Sequence, residues 1–163
     1  MKKYSFMQAA TGLGLALALS LTTLPAMAEE EHDHGDVHSA ELQLNAGQKW
    51  QTDAPLRQAM RGIGEAVNTS LDAIHNNKLD AAGYTALAGE VNQQVAYMVE
   101  NCQLEPAADA QLHIVIARLM DSAQVMEKNS DLQEKRNGAV QLVGALDSYA
   151  KYFEDADFAK PVH

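Results

Sequence analysis

Residues 55–74 read PLRQAMRGIGEAVNTSLDAI, and their apolar side chains recur at the spacing of an α-helix. Intervals of 4, 3, 4, 4 and 3 positions separate Leu56, Met60, Ile63, Val67, Leu71 and Ile74. This spacing aligns the six side chains on one face of a helix. Thr52 or Asp53 can cap the helix, and Pro55 suits its first turn because its missing N–H needs no partner there. The stretch therefore predicts a long amphipathic helix that needs other helices to cover it.

Three later stretches repeat the pattern. The second helix can be capped by Asp80, the third opens at Pro106, and Ser130 with Gln133 can form a capping pair for the fourth. The stripe of the second helix contains Tyr84, Leu87, Val91, Val95, Met98 and Cys102, and that of the third contains Ala108, Leu112, Val115, Leu119, Ala123 and Met126. The stripe of the fourth contains Leu132, Ala139, Leu142 or Val143, Leu146, Tyr149 or Ala150, and Phe153. Helices of similar length joined by short turns run antiparallel. The sequence thus predicts an all-α, up-down-up-down antiparallel four-helix bundle over residues 52–155.

The segments that flank the bundle have different compositions. Lys2 and Lys3, an apolar run over 9–24 and the sequence AMA at 26–28 predict a signal peptide over 1–28, cleaved after Ala28. An uncleaved anchor is the alternative, although the run is short for a membrane span. Residues 29–51 predict a disordered leader rich in His and acids, although its mildly apolar part from Leu42 to Trp50 could lie against the bundle, and 156–163 predict a loose C-terminal tail. We therefore expect a periplasmic protein whose mature chain is not inserted in the membrane.

Charge and cysteine content narrow the classes of function. The net charge is −10, which argues against nucleic acid and anionic lipid surfaces as partners and suits cations. The single cysteine, Cys102, cannot form an intramolecular disulfide, so it is buried, bound to a ligand, or paired with a second chain in a homodimer. Nucleophile elbows, phosphate loops, dinucleotide fingerprints and covalent haem motifs are absent from the sequence. The sequence gives no support to an enzyme.

Antiparallel packing predicts which side chains lie at the same height. Counting outward from the turns places Met60, Met98 and His113 within about one helical turn of one another, with Cys102 one turn beyond. Soft sulfur ligands select Cu(I), and imidazole suits several metals, so these four residues predict a copper site. Two alternatives stay open: an ordinary apolar core, and a non-covalent haem b held by Met60 and His113 as axial ligands.

The leader offers a second set of metal ligands. His32, His34 and His38 are interleaved with acidic residues, and neutral imidazoles on a flexible chain can wrap a divalent metal ion. The alternative is an acidic arm that keeps the protein soluble. The leader therefore predicts a metal-recruiting arm beside the predicted copper site.

Two stretches resemble a known group of proteins. Residues 44–57 followed by Met60, and the motif Asn101-Cys102-x-Leu104-x-Pro106-x-x-Asp109-Ala110-x-Leu112-His113, resemble small exported proteins of unassigned function from Gram-negative bacteria, which often carry a His-rich leader. The resemblance covers about residues 30–126 and implies export and a helical bundle. The bundle also resembles periplasmic cytochromes of the b and c-prime type, with Met60 similar to their axial Met. Those cytochromes place the partner His near the end of the fourth helix, where residues 146–152 here contain none.

Together these features predict a periplasmic protein that binds a metal ion, copper first, and buffers or delivers it. A haem-binding electron carrier is the alternative with a cofactor. An envelope interaction or stress protein, with a protein partner and no ligand, is the alternative without one.

Overall fold

The computed structural model describes residues 41–161 and confirms the predicted fold class. Four α-helices follow one another: α1 (Ala54–His75), α2 (Ala81–Asn101), α3 (Pro106–Lys128) and α4 (Leu132–Tyr152). Short turns connect them, and each helix packs on its neighbours in sequence. Between residues 41 and 161 no helix has the length and hydropathy needed to cross a membrane. The predicted signal peptide and residues 29–40 of the leader lie outside the described residues.

Aspartate caps three of the four helices. The side chains of Asp53, Asp80 and Asp131 each accept a hydrogen bond from the backbone N–H three residues later, at 2.9, 2.8 and 3.0 Å. Pro106 opens α3 without a side-chain cap. The prediction of Ser130 as the fourth cap is wrong, because α4 begins one residue later and a carboxylate also complements the positive end of the helix dipole.

The predicted stripes meet in one core. Met60, Ile63, Val115, Leu119 and Leu142 are fully buried, as a stripe that faces three other helices should be. The exception is Leu132, which was expected on the stripe of α4 and is half exposed. Burying a Leu or Ile side chain contributes roughly 1.5–3 kcal/mol, so this core is the main stabilising element of the bundle.

A buried lysine closes the end of the bundle opposite Cys102. The ammonium of Lys135 donates hydrogen bonds to the carbonyl oxygens of Met126 and Glu127, in the last turn of α3. Terminal carbonyls of a helix have no partner within it, and a cation there also complements the negative end of the helix dipole. Lys135 therefore ties the start of α4 to the end of α3.

The segment before α1 pairs with the end of α4 and the residues that follow it. Trp50 N–H donates to Tyr152 O, and Glu154 N–H donates to Trp50 O, both at 2.8 Å. The Thr52 hydroxyl donates to Glu154 O at 2.6 Å. We call these four residues, Trp50, Thr52, Tyr152 and Glu154, the terminal clasp, and the end of the bundle that holds it the clasp end.

The clasp corrects the predicted end of the disordered leader. Residues 41–51 lie on the bundle: Leu42 is buried, the Trp50 indole N–H donates to Gln43 O at 2.6 Å, and Gln43 N–H donates to the Gln111 side chain at 2.8 Å. The predicted disorder is wrong for residues 41–51. Their order rests on two apolar side chains and a few hydrogen bonds, which leave no periodic pattern in the sequence.

A gap separates the first helix, α1, from the last, α4, and we call this gap the seam. α1 and α4 contact each other far less than α1 and α2 or α3 and α4 do. The segment 154–161 turns back over the seam, where the Phe158 ring lies beside Gly64 and Lys160 Nζ pairs with Asp147 Oδ1 at 3.1 Å. Pro161 is buried. The expectation of a loose tail is therefore wrong for residues 156–161, and Val162 and His163 lie outside the described residues.

Candidate functional site

The four predicted core ligands lie in different environments. Met60 and Met98 are in the core, 0% and 1% exposed, and Cys102 is half-buried where α2 ends. The His113 side chain is 64% exposed on α3. The structure thus places the two thioethers inside the bundle and does not bring the imidazole in beside them.

His113 is bound to its own helix. Its Nδ1 lies 2.9 Å from Asp109 O and 3.4 Å from Asp109 Oδ2, one turn earlier. The height of His113 along the bundle does not determine the direction of its side chain around the helix axis. Because His113 lies off the apolar stripe of α3, its ring faces solvent. A haem held axially by Met60 and His113 would need both side chains to face one cavity, and here one is buried and the other exposed.

The Asp53 carboxylate joins three parts of the clasp end. One oxygen accepts the N–H of Leu56 as the cap of α1, and the other accepts the N–H of Gln103 at 2.7 Å in the turn between α2 and α3. The charge of the carboxylate also acts on the thiol of Cys102, whose pKa it helps to raise. The sequence identified Asp53 as a cap and gave no sign of the other two contacts, since both depend on how the turn folds over α1.

The surroundings of Cys102 hold its thiol protonated. Burial raises the thiol pKa to about 12, helped by the charge of Asp53, the hydrogen bond to Asp53 and the charge of Asp109. A neighbouring negative charge disfavours the thiolate, and so does the loss of water around it. The same two carboxylates favour a cation at this position. A thiol with a raised pKa is a weak nucleophile at neutral pH.

Tyr149 fills the space between α4 and the returning tail. Its ring stacks on Phe153 with centroids 5.4 Å apart and meets Phe158 edge-on at 5.1 Å. Its hydroxyl donates to Asp155 Oδ2 at 2.8 Å, and burial raises the tyrosine pKa above its ordinary value. Sequence reasoning placed Tyr149 at this end without detecting its role as the point where the tail is anchored.

Metal ligands are dispersed over the described part of the chain. Between residues 41 and 161 no three His, Cys, Asp or Glu side chains are grouped closely enough to hold a metal ion. His32, His34 and His38 lie outside the described residues. Copper and haem b both stay predictions.

Comparison of the whole chain with protein-family models, curated proteins and solved structures finds no match. The functional argument consequently rests on the residues of this chain.

We expect the thiol of Cys102 to react with iodoacetamide at pH 8 at least about tenfold more slowly than a free cysteine, because so little thiolate is present. The unfolded thiol has a pKa of 9.0. The folded protein holds this proton more tightly, so the resulting stabilisation is complete below pH 9.0 and declines as the pH rises toward about 12. Timed alkylation followed by mass spectrometry measures the rate, with the urea-unfolded protein as control. Equal rates in the folded and unfolded protein would contradict the assigned environment.

Proposed function

We propose that this protein is an exported, periplasmic metal-binding protein that buffers or delivers copper, and that it acts by binding rather than by catalysis. The observation that supports this most directly is the setting of Cys102. A half-buried thiol lies where α2 ends, and the charges of Asp53 and Asp109 both act on it. A soft ligand in negative surroundings suits Cu(I).

The position at which the leader is attached also supports a site at the clasp end of the bundle. Gln43 is held to Gln111, two residues before His113 on α3. His38 precedes Gln43 by five positions, which can span at most about 18 Å. His32, His34 and His38 are thus within reach of the clasp end, and in this proposal they capture the metal before it passes to Cys102 and His113.

Metal binding at Cys102 replaces the thiol proton: the S–H bond is lost, an S–Cu(I) bond forms, and the proton is released to water. Met98 precedes Cys102 by one helical turn and Met60 lies in the same core, so a small opening of the turn would add thioethers to the thiolate. Because the thiol keeps its proton at neutral pH, affinity should rise about tenfold per pH unit at pH 6.5–8.5.

The test is a Cu(I) titration under nitrogen against a competing chelator of known affinity. We expect Cys102→Ala to weaken binding at least about tenfold and to remove the rise of affinity with pH. Replacing His32, His34 and His38 by Ala should slow capture, and His75→Ala, at the opposite end of α1, should change nothing. The proposal fails if the protein binds no Cu(I), or if binding survives removal of Cys102, His113 and the three leader histidines together.

A further inference from the structure

The seam between α1 and α4 contains a second feature, independent of the proposed copper site. A cleft of about 320 Å³ lies along this seam, between α1 and α4. Aliphatic side chains from both helices form its walls: Leu71, Ile74, Ala139, Val140 and Val143. Val140 is 59% exposed, so its apolar side chain is accessible to a ligand in the cleft. The cleft thus offers an unpartnered apolar surface.

The two ends of the cleft differ in charge. At the end near the tail, Asp147 is paired with Lys160. At the far end Arg136 donates from Nε to Ile74 O at 3.2 Å, and within residues 41–161 no carboxylate forms an ion pair with it. His75 lies beside it on the wall of the cleft. An apolar trough that ends at a guanidinium is complementary to an apolar molecule with one anionic group.

The size of the cleft limits the ligand. At roughly 30 Å³ for each water-sized group, 320 Å³ holds about ten non-hydrogen atoms. A helix from a protein partner needs far more room, while the aliphatic walls of the cleft suit a single hydrocarbon chain. We infer that the α1–α4 cleft binds a medium-chain aliphatic carboxylate, its tail against Leu71, Val140 and Val143 and its carboxylate on Arg136.

Three probes of equal chain length test the inference by calorimetry below their micelle concentrations: decanoate, decanol and decyltrimethylammonium. We expect saturable binding of decanoate, and binding of the alcohol and of the cation at least about fivefold weaker, because only decanoate can form the charge-assisted bond to Arg136. Arg136→Gln should make decanoate and decanol bind alike.

A pair of exposed valines supplies the matched control. Val140→Asp should weaken decanoate binding at least about tenfold, by removing apolar contact and adding a like charge. Val99→Asp should leave binding unchanged, because Val99 is 69% exposed on α2 and lies away from the cleft. Both variants alter exposed positions, so circular dichroism should show each of them folded.

Three results would overturn the inference. They are no saturable binding of decanoate, the same loss of binding in Val99→Asp as in Val140→Asp, or equal binding of decanoate and the ammonium probe. A dimer in light scattering that Val140→Asp dissociates would also overturn it, because the cleft would then be covered by a second copy of the chain.

Discussion

Replacement of Tyr149 by alanine is expected to lower the free energy of unfolding by about 4 kcal/mol, within the range for large buried aromatic side chains. The ring is 0% exposed, and its loss removes the stacking on Phe153 and the edge contact with Phe158. The tail would then lose its main anchor on α4. Urea unfolding followed by circular dichroism gives the difference in free energy, and proteolysis near residue 158 reports release of the tail.

Tyr149→Phe separates the ring from the hydroxyl. The phenylalanine keeps both ring contacts and loses only the hydrogen bond to Asp155, so we expect a decrease of about 1 kcal/mol. The tail should stay protected from protease in this variant. A loss in Tyr149→Phe as large as that in Tyr149→Ala would mean that the hydroxyl, and not ring packing, holds the tail.

Asp53→Ala is expected to lower the free energy of unfolding by about 3 kcal/mol, because it removes the cap of α1 and the bond from the carboxylate to Gln103 N–H together. Asp53→Asn should lower it less, since Asn caps a helix as well as Asp does. Both variants should also lower the thiol pKa of Cys102, which a titration of thiolate absorbance measures. Burial remains in both, so the pKa should stay above its ordinary value.

Asp80→Ala is the matched control for Asp53. Asp80 caps α2 through one hydrogen bond, to Gly83 N–H, so its loss should lower the free energy of unfolding by only about 1 kcal/mol. The thiol of Cys102 should keep its pKa. If the Asp53 and Asp80 variants are equally stable, the bond from Asp53 to Gln103 does not contribute to the free energy of unfolding. Each aspartate would then stabilise the protein only as a helix cap.

The bundle could be predicted from sequence because local signals specify it. The stripes, the caps Asp53 and Asp80 and the opening Pro106 are each visible within a few residues, and the structure confirms them. The segments 41–51 and 154–161 carry no such signal. Their order comes from pairing with each other and with α1, α3 and α4, and a period in the sequence cannot reveal partners so distant.

The candidate site was less predictable for a related reason. Counting residues from the turns gives the height of Met60, Met98 and His113 along the bundle, while the direction of a side chain depends on its angle around the helix. Met98 lies on the apolar stripe and is buried, whereas His113 lies off it and is exposed. The acidic setting of Cys102 depends on how the turn after α2 folds over the start of α1.

The terminal clasp also bears on how the chain is made. Thr52 bonds to Glu154 across 102 residues, so the N-terminal segment waits for its partner until almost the whole bundle has been synthesised. At about 5–20 residues per second that interval is roughly 5–20 s. During this time Leu42 and Trp50 have no surface to cover them, and the nascent chain exposes an apolar segment. This protein is therefore prone to aggregate or be captured by a chaperone throughout this interval, and the exposure ends when the last turn of α4 emerges.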